Sequence, residues 1–338
     1  MATLQQVHEE IANAKTTGEI VGIQKKNPYL KSVIDARRHF LGSKLEMNRK
    51  IGDLYANMVY DLQKRIKNLQ YINNGKDTLS SLELKDLQRQ VEYTLRNEFD
   101  DKYLKLLEEY VGKSAKHGAE PVELYLIEGG FNVRPVNRLI NRKAVEALYA
   151  RTWSDGLNIS DRIWKIRNHT GENLVDFIRL SQAEGRSAVD IARDLDQYIK
   201  GGKQYISPEL AAQKNFPKNL DYRALRLART EYTQSFMEGV YASGQVSPSY
   251  HGIKWLLSDA HPEPDVCDPM AGKIYKQGEE PAIPHPQCMC HQVPVHNETL
   301  DQFTNRVKEW RNNPGSQPEL EDWYQNVYQR IMNGEYEL

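Results

Sequence analysis

Apolar residues recur every three or four positions along the first third of the chain, the spacing of one face of an α-helix. The longest such stripe runs from Ile34 to Leu69 and contains no proline. It predicts one long amphipathic helix, with a break at Gly42 or Gly52 left open because glycine weakens a helix interior.

A second stripe with the same spacing runs from Leu87 to Val111. Ser80 and Glu83 precede it at the spacing of a capping box, in which each side chain accepts a hydrogen bond from the other residue's backbone N–H. Asn73, Asn74 and Gly75 lie between the two stripes and favour a turn. The pattern predicts an antiparallel helical hairpin.

The middle of the chain also has a helical pattern. Glu120-Pro121 predicts a helix start, since proline suits the first turn of a helix. Ser187 and Asp190 predict a cap for a helix that ends near Gly201-Gly202. A longer helix is predicted from Tyr222 to Ser243.

After Tyr250 the pattern changes to short β-rich runs at Ile253–Leu257, Lys273–Tyr275 and His291–Val295. Two further helices are predicted after them, at Leu300–Trp310 and Glu319–Met332. The fold class expected is therefore mainly α, with helical N-terminal and middle regions followed by a small zinc-stapled α+β module. The domains expected are a hairpin at 1–115, a helical middle domain at 116–249, and a Cys/His module with C-terminal helices at 250–338.

Composition limits the functional classes. The chain has 338 residues, of which 27% are charged, with a mean hydropathy of -0.70. It contains no run of eighteen apolar residues, and its first ten residues are neither basic nor apolar. The sequence therefore predicts neither a membrane anchor nor a secretion signal.

The candidate metal-binding residues lie in the segment from Asp259 to Val295, and this segment contains all three cysteines of the chain. Cys288 and Cys290 are two apart, so in an extended segment both sulfurs point to one face. His285 precedes Pro286, which favours such a segment. Cys267 would face them across a turn. A Cys₃His set is a normal zinc site, so the ligands expected are Cys267, His285, Cys288 and Cys290, with His261, Asp265 and Asp268 in reserve.

Other interpretations of this segment stay open. The cysteines could form a disulfide, which their odd number disfavours, or be buried thiols in a proline-rich, metal-free knot. A metal-dependent hydrolase or nuclease could be built from His261, Asp265, His285 and His291, and a thiol nucleophile from Cys288 with His285 or His291. Cysteine-rich sets are usually structural, and the common nucleotide-binding and hydrolase motifs do not occur. We therefore expect a protein that is not an enzyme.

A basic stripe gives a DNA-binding alternative. Arg134, Arg138 and Arg142 lie at four-residue steps, and basic residues outnumber acidic ones from Phe131 to Thr170. The whole chain has a net charge of -1, so it lacks the broad positive field that drives strong binding to phosphates. The stripe predicts a solvated helix face with weak contact to DNA at most.

Three groups of residues resemble a known family. Trp255 to Asp268, W-L-L-S-D-A-H-P-E-P-D-V-C-D, is followed by G-K-I-Y and then by H-P-Q-C-M-C at 285–290. Together they are similar to the C-terminal signature of tailed-phage minor head proteins, the head morphogenesis family that includes the F protein of phage Mu. L-A-R-T-E-Y at 227–232 resembles the helix that precedes this signature. Many members have a second cysteine where this chain has Met270.

The resemblance implies a minor capsid protein, present in few copies near the portal, that acts in head assembly, with a role in DNA delivery left open. Its partners would be the portal protein and other capsid or scaffold proteins. It would occupy the capsid interior or portal vertex of the virion, after assembly in the host cytoplasm. The long stripe exceeds what a two-helix hairpin can bury, which predicts that the helical region binds another capsid component.

Overall fold

The computed structural model describes residues 14–21, 27–72, 80–184, 186–201, 220–259, 261 and 264–338. The turn predicted at 73–75 and the helix end predicted at Gly202 lie outside these residues. Within the described residues the protein is mainly helical, with a small three-stranded antiparallel sheet near the C-terminus. The predicted fold class, mainly α with a small sheet-containing module near the C-terminus, is confirmed.

A short helix, α1 (Thr17–Val21), precedes the long helix α2 (Pro28–Ile72). Asn27 caps α2 by accepting a hydrogen bond from the Tyr29 backbone N–H at 2.9 Å. The helix is continuous through Gly42 and Gly52. Its stripe is more fully buried than the sequence predicts, because further helices pack on it through contacts such as Phe40 on Tyr232. Among the stripe residues whose side chains the structure describes, Leu41 and Leu45 are the exposed ones.

The predicted capping box is present at the start of α3 (Ser81–Thr94). A π-turn at Leu95–Phe99 leads into α4 (Asp100–Glu128). Residues late in α2 contact residues early in the segment from α3 to α4, and residues early in α2 contact residues late in it, so the two run antiparallel as the predicted hairpin requires. The contacts are Arg65 with Gln90, Tyr55 with Phe99, Ser43 with His117 and His39 with Glu120.

The prediction that Glu120-Pro121 begins a helix is wrong. Pro121 lies inside α4, which continues to Glu128. Buried side chains on both sides of the proline, at Ala119 and Val122, hold the helix in register. The helix ends instead at Gly130, whose φ of 73° is the left-handed conformation typical of a helix C-cap.

Four more helices follow: α5 (Arg134–Ala150), α6 (Ile159–Ala183), α7 (Ala188–Gly201) and α8 (Tyr222–Gln245). The predicted cap of α7 is present, since the Asp190 N–H donates to Ser187 Oγ at 3.2 Å. Helices α4 and α8 cross with their backbones in contact. A Cβ on Gly118 would lie 2.0 Å from the Phe236 carbonyl oxygen, and one on Gly239 would lie 1.9 Å from that of Ala115.

The sheet has the order β2-β1-β3 and contains β1 (Tyr250–Leu256), β2 (Ile274–Lys276) and β3 (His291–His296). Each strand lies within a few residues of a predicted β-rich run. Ile253 pairs with Tyr275 on one side and with Pro294 on the other. Both β1 and β3 are almost wholly buried, so the sheet belongs to the core.

The predicted C-terminal helices are present as α9 (Leu300–Asn312), α10 (Pro318–Trp323) and α11 (Gln329–Met332), with a π-turn at Tyr324–Tyr328. They pack through an aromatic cluster centred on Phe131. No helix in the described part of the chain has the length and apolar character needed to cross a membrane.

The chain forms two compact units. The first takes its described residues from Met1–Lys44, Glu108–Leu148 and Arg229–Leu338, and the second takes them from Leu45–Leu107 and Tyr149–Ala228. These units interleave along the chain, whereas the sequence predicts three consecutive segments at 1–115, 116–249 and 250–338. The reason is that α2, α4 and α8 each supply residues to both units.

Candidate metal centre

Two segments of the first unit meet at the cysteines. One is the loop after β1, where Cys267 comes directly before a 3₁₀ turn at Asp268–Met270. The other is the arm that leads into β3, and Cys290 is its last residue before the strand. All three cysteines are buried free thiols. The sequence-predicted residues are therefore brought together by β1 and β3, which pair directly.

The ligand atoms fall into two groups that share Cys267. One contains His261, Cys267 and Cys290, and the other contains Cys267, His285 and Cys288, with all ligand atoms of a group within 4.8 Å of one another. The Cys267 and Cys288 sulfurs are 3.7 Å apart. That separation is far longer than a disulfide bond of about 2.05 Å, so the disulfide alternative does not describe this structure.

The sulfur spacing fits a tetrahedral ion. Two thiolates bound to zinc at about 2.3 Å, at the tetrahedral angle, lie about 3.8 Å apart. The Cys267–Cys288 separation of 3.7 Å is close to this value. Cys290 Sγ and His261 Nδ1 are 3.9 Å apart, which also suits two ligands of one ion. The residues present therefore fit a zinc ion.

Both histidines have the outer contacts that orient metal-binding imidazoles. His261 Nε2 lies 2.7 Å from Asp268 Oδ1, while the Asp265 N–H donates to the other Asp268 oxygen at 2.7 Å. His285 Nδ1 lies 3.0 Å from the Pro286 carbonyl oxygen. Such partners fix which ring nitrogen is free for a metal, here Nδ1 of His261 and Nε2 of His285.

Two buried polar atoms at the centre lack hydrogen bonds. His285 Nε2 and Asp265 Oδ2 are 3.1 Å apart, within ion-pair distance, and His261 Nδ1 lies 3.8 Å from the same Asp265 oxygen, yet neither His285 Nε2 nor Asp265 Oδ2 makes a hydrogen bond. Leaving such atoms buried and unpaired costs about 1–3 kcal/mol each. A cation beside them would remove that cost.

The cysteine thiols differ in pKa. Burial and the neighbouring Cys290 sulfur raise the pKa of Cys267 to about 12. The pKa of Cys290 is lowered, because the Cys288 thiol and the Ser258 backbone N–H donate to its sulfur. Cys290 is therefore the first of the three to ionise, and the others need a cation to become thiolates.

Cationic side chains outside the sequence-predicted set hold the arm in place. The buried Arg37 guanidinium donates to the Met289 carbonyl oxygen, and Arg229 Nη1 lies 3.3 Å from Gln287 Oε1. Gln287 has a φ of 61°, and its N–H donates to Thr230 Oγ1 at 3.1 Å. No motif in the sequence marks Arg37 or Arg229 as a contact of this arm.

The N-terminal segment also contacts the loop that carries Cys267. The Leu257 N–H donates to the Lys15 carbonyl at 2.8 Å, and the Gly18 N–H donates to Asp259 Oδ1 at 3.0 Å. A Cβ on Gly18 would lie 2.6 Å from that carboxylate oxygen. No local sequence pattern connects residues so far apart.

The remaining predicted residues lie apart from this centre. His291 belongs to neither ligand group; it packs on Phe236, and burial places its pKa well below the ordinary value. Arg134, Arg138 and Arg142 lie exposed along α5, and Arg142 pairs with Glu146 at 3.7 Å. The structure thus distributes the predicted zinc ligands over two groups that share Cys267, and it leaves His291, one member of the hydrolase set, outside both.

Comparison with models of known protein families, with curated protein sequences and with solved structures finds no match.

Proposed function

We propose that the chain is a minor capsid protein of a tailed phage, of the head morphogenesis type, whose C-terminal module is held together by a structural zinc ion. The observation that carries the proposal is the convergence of Cys267, His285, Cys288 and Cys290. These residues come from both halves of the phage-like signature. Cys267 shares one ligand group with His285 and Cys288 and a second with His261 and Cys290, and all three thiols are buried.

A structural role fits the ligand chemistry better than a catalytic one. Three thiolates and one imidazole fill the four positions of a tetrahedral zinc ion, whereas catalytic zinc usually keeps one position for water. The cysteines are 0–2% exposed. The ion would join the loop after β1 to the arm before β3, two segments that contain little regular structure of their own.

The fourth ligand we propose is His285. Its Nε2 lies 3.1 Å from Asp265 Oδ2, and both atoms lack a hydrogen bond. His261 is the alternative, since its Nδ1 faces Cys290 and its Nε2 is held by Asp268. Asp265 would then be a neighbour of the ion and not a ligand.

The assembly role rests on the family resemblance and on exposed apolar side chains of α2. Leu41 is 39% exposed and Leu45 is 70% exposed, one helical turn apart. We expect this part of α2 to contact the portal protein or another capsid or scaffold protein. The zinc module is expected to face away from that contact.

Co-expression with the portal protein of the same genome tests the assembly role. The wild-type chain and the portal should co-purify, and Leu45→Glu should weaken the interaction at least 10-fold. Val266→Glu is the matched control, since Val266 is 59% exposed on the zinc module, and it should have no effect. Failure of the wild-type chain to bind portal, or equal loss in both variants, would contradict the assignment.

A further inference from the structure

A second group of metal-ligating side chains lies on α2 and α4, outside the cysteine-bearing segments. It consists of His39, His117 and Glu120, whose ligand atoms are all within 4.8 Å of one another. The two oxygens of Glu120 face one imidazole each, at 2.8 Å from His39 Nδ1 and 2.9 Å from His117 Nδ1. The two rings are 5.5 Å apart between centroids.

The helices fix this arrangement. His117 and Glu120 are three residues apart on α4, so they share a helix face. The antiparallel α2 brings His39 to the same place, and Ser43, one turn further along, lies 3.1 Å from His117 Nε2. Ser43 therefore orients the His117 ring and leaves its Nδ1 directed at Glu120.

The charge at this position also suits a cation. The Glu120 carboxyl group is the acidic member of the group, and each of its oxygens lies within 2.9 Å of an imidazole nitrogen. The side chain of His39 is 57% exposed, so an ion can enter from solvent and keep bound water.

We propose that His39, His117 and Glu120 bind a divalent transition-metal ion of the zinc, cobalt or nickel class. Two imidazoles and one carboxylate form the protein ligand set of open metal sites, where water completes the coordination. The ion would take the place of the protons between the rings and the carboxylate. With bonds of about 2.0–2.1 Å, the nitrogen–oxygen contacts would lengthen to about 3.3 Å, a shift of a few tenths of an ångström.

The ion would link α2 to α4, and Ser43 would serve as the outer partner of His117. This site shares no residue with the cysteine centre, so it does not depend on the proposed structural zinc. A chain that failed to bind metal at the cysteines could still bind it here.

Cobalt titration of the full chain without a histidine tag tests the proposal. Cobalt at the cysteine centre gives thiolate-to-cobalt charge-transfer absorption, whereas cobalt on two imidazoles and a carboxylate does not. We expect the wild-type chain to bind one equivalent of cobalt that gives no thiolate-to-cobalt absorption. His39→Asn and Glu120→Gln should each abolish this equivalent and leave the thiolate signal unchanged, while Ser43→Ala should weaken it about 10-fold.

His169→Asn is the matched control, since His169 is an exposed histidine with a glutamate three residues on, Glu172, at 3.3 Å. This variant should bind cobalt as the wild type does. Circular dichroism checks that each variant is folded, and Ser43→Ala supplies a second measurement if one of the others is not. The proposal is overturned if the wild type binds no thiolate-free equivalent, or if that equivalent survives in both His39→Asn and Glu120→Gln.

Discussion

Cys267 and Cys288 are separated by twenty-one positions in the sequence, and their sulfurs lie 3.7 Å apart, with no bond between them. That separation is nearly the distance between two thiolates on one zinc ion, about 3.8 Å. The contact joins the loop after β1 to the arm before β3. It is the contact on which a metal-stabilised module would depend.

Cys267→Ser should abolish zinc binding and destabilise the module that contains the sheet. Binding free energy at structural zinc sites is on the order of 10 kcal/mol and acts as folding free energy. Most of the helical circular dichroism signal should remain, because the described residues of the second unit supply no ligand to this centre. Elemental analysis and thermal unfolding measure the two effects.

Removal of metal from the wild type with a strong chelator should reproduce the loss of stability in Cys267→Ser. The variant itself should be insensitive to the chelator. A wild type whose melting temperature is unchanged by the chelator would show that the module does not rely on a metal.

Substitution of the two histidines should identify the fourth ligand. His285→Asn should lose stoichiometric zinc, whereas His261→Asn should retain it, because we propose His285 and not His261 as the fourth ligand. Competition with a chromophoric chelator measures both affinities. His251→Asn is the control, since His251 lies in β1 outside both ligand groups. The reverse order of effects would assign His261 as the ligand.

Because the backbones of α4 and α8 are in contact where they cross, adding one methyl group at the crossing should strongly destabilise the protein. Gly239→Ala should cost at least about 3 kcal/mol, the upper end for overpacking, because its Cβ would lie 1.9 Å from the Ala115 carbonyl oxygen. Gly42→Ala on α2 has no atom within 4 Å of its new Cβ. It should stabilise the protein by about 0.5–1 kcal/mol. Denaturant unfolding of both variants makes the comparison, and equal effects would contradict the close crossing.

Glu123 on α4 should make the stability pH-dependent. Burial raises its pKa to about 7 from an ordinary value of 4.5. The folded state therefore binds a proton more tightly than the unfolded state does. Stability from this group is present at low pH, falls as pH rises from about 4.5 to 7, and then levels off, for a total of up to about 3 kcal/mol.

Glu123→Gln should remove that pH dependence and make the protein more stable than the wild type at pH 8. Glu128→Gln, at the exposed end of the same helix, should leave the pH profile as it is. Denaturant midpoints recorded from pH 4.5 to 8 test this. Parallel profiles for the wild type and Glu123→Gln would show that Glu123 is not the group responsible.

Much of the fold follows from local patterns in the sequence. The stripe from Ile34 to Ile66 and the capping box at Ser80 are determined by neighbours in the chain, and both predictions are confirmed. Pro121 was misjudged because tertiary packing overrides its preference for a helix start. The interleaved units could not be predicted either, since they depend on which side chains meet across long helices.

The clustering of the candidate ligands was predictable from the sequence, and the contacts that support them were not. The cysteine spacing and the histidine before Pro286 were visible as a cluster. Arg37, more than two hundred positions away, carries no local signal for its contact with Met289. His261 was expected as a reserve; the structure places it in one ligand group, with its Nδ1 3.9 Å from Cys290 Sγ, and places His285 in the other. The phage role and its partners stay predictions.

Zinc X-ray absorption on the purified full chain tests the central claim most directly. We recommend the Glu120→Gln variant, so that only the cysteine centre contributes. The account predicts one zinc per chain with three sulfur ligands at about 2.3 Å and one nitrogen at about 2.0–2.1 Å. A chain without stoichiometric zinc, or a zinc shell of nitrogen and oxygen alone, would contradict it.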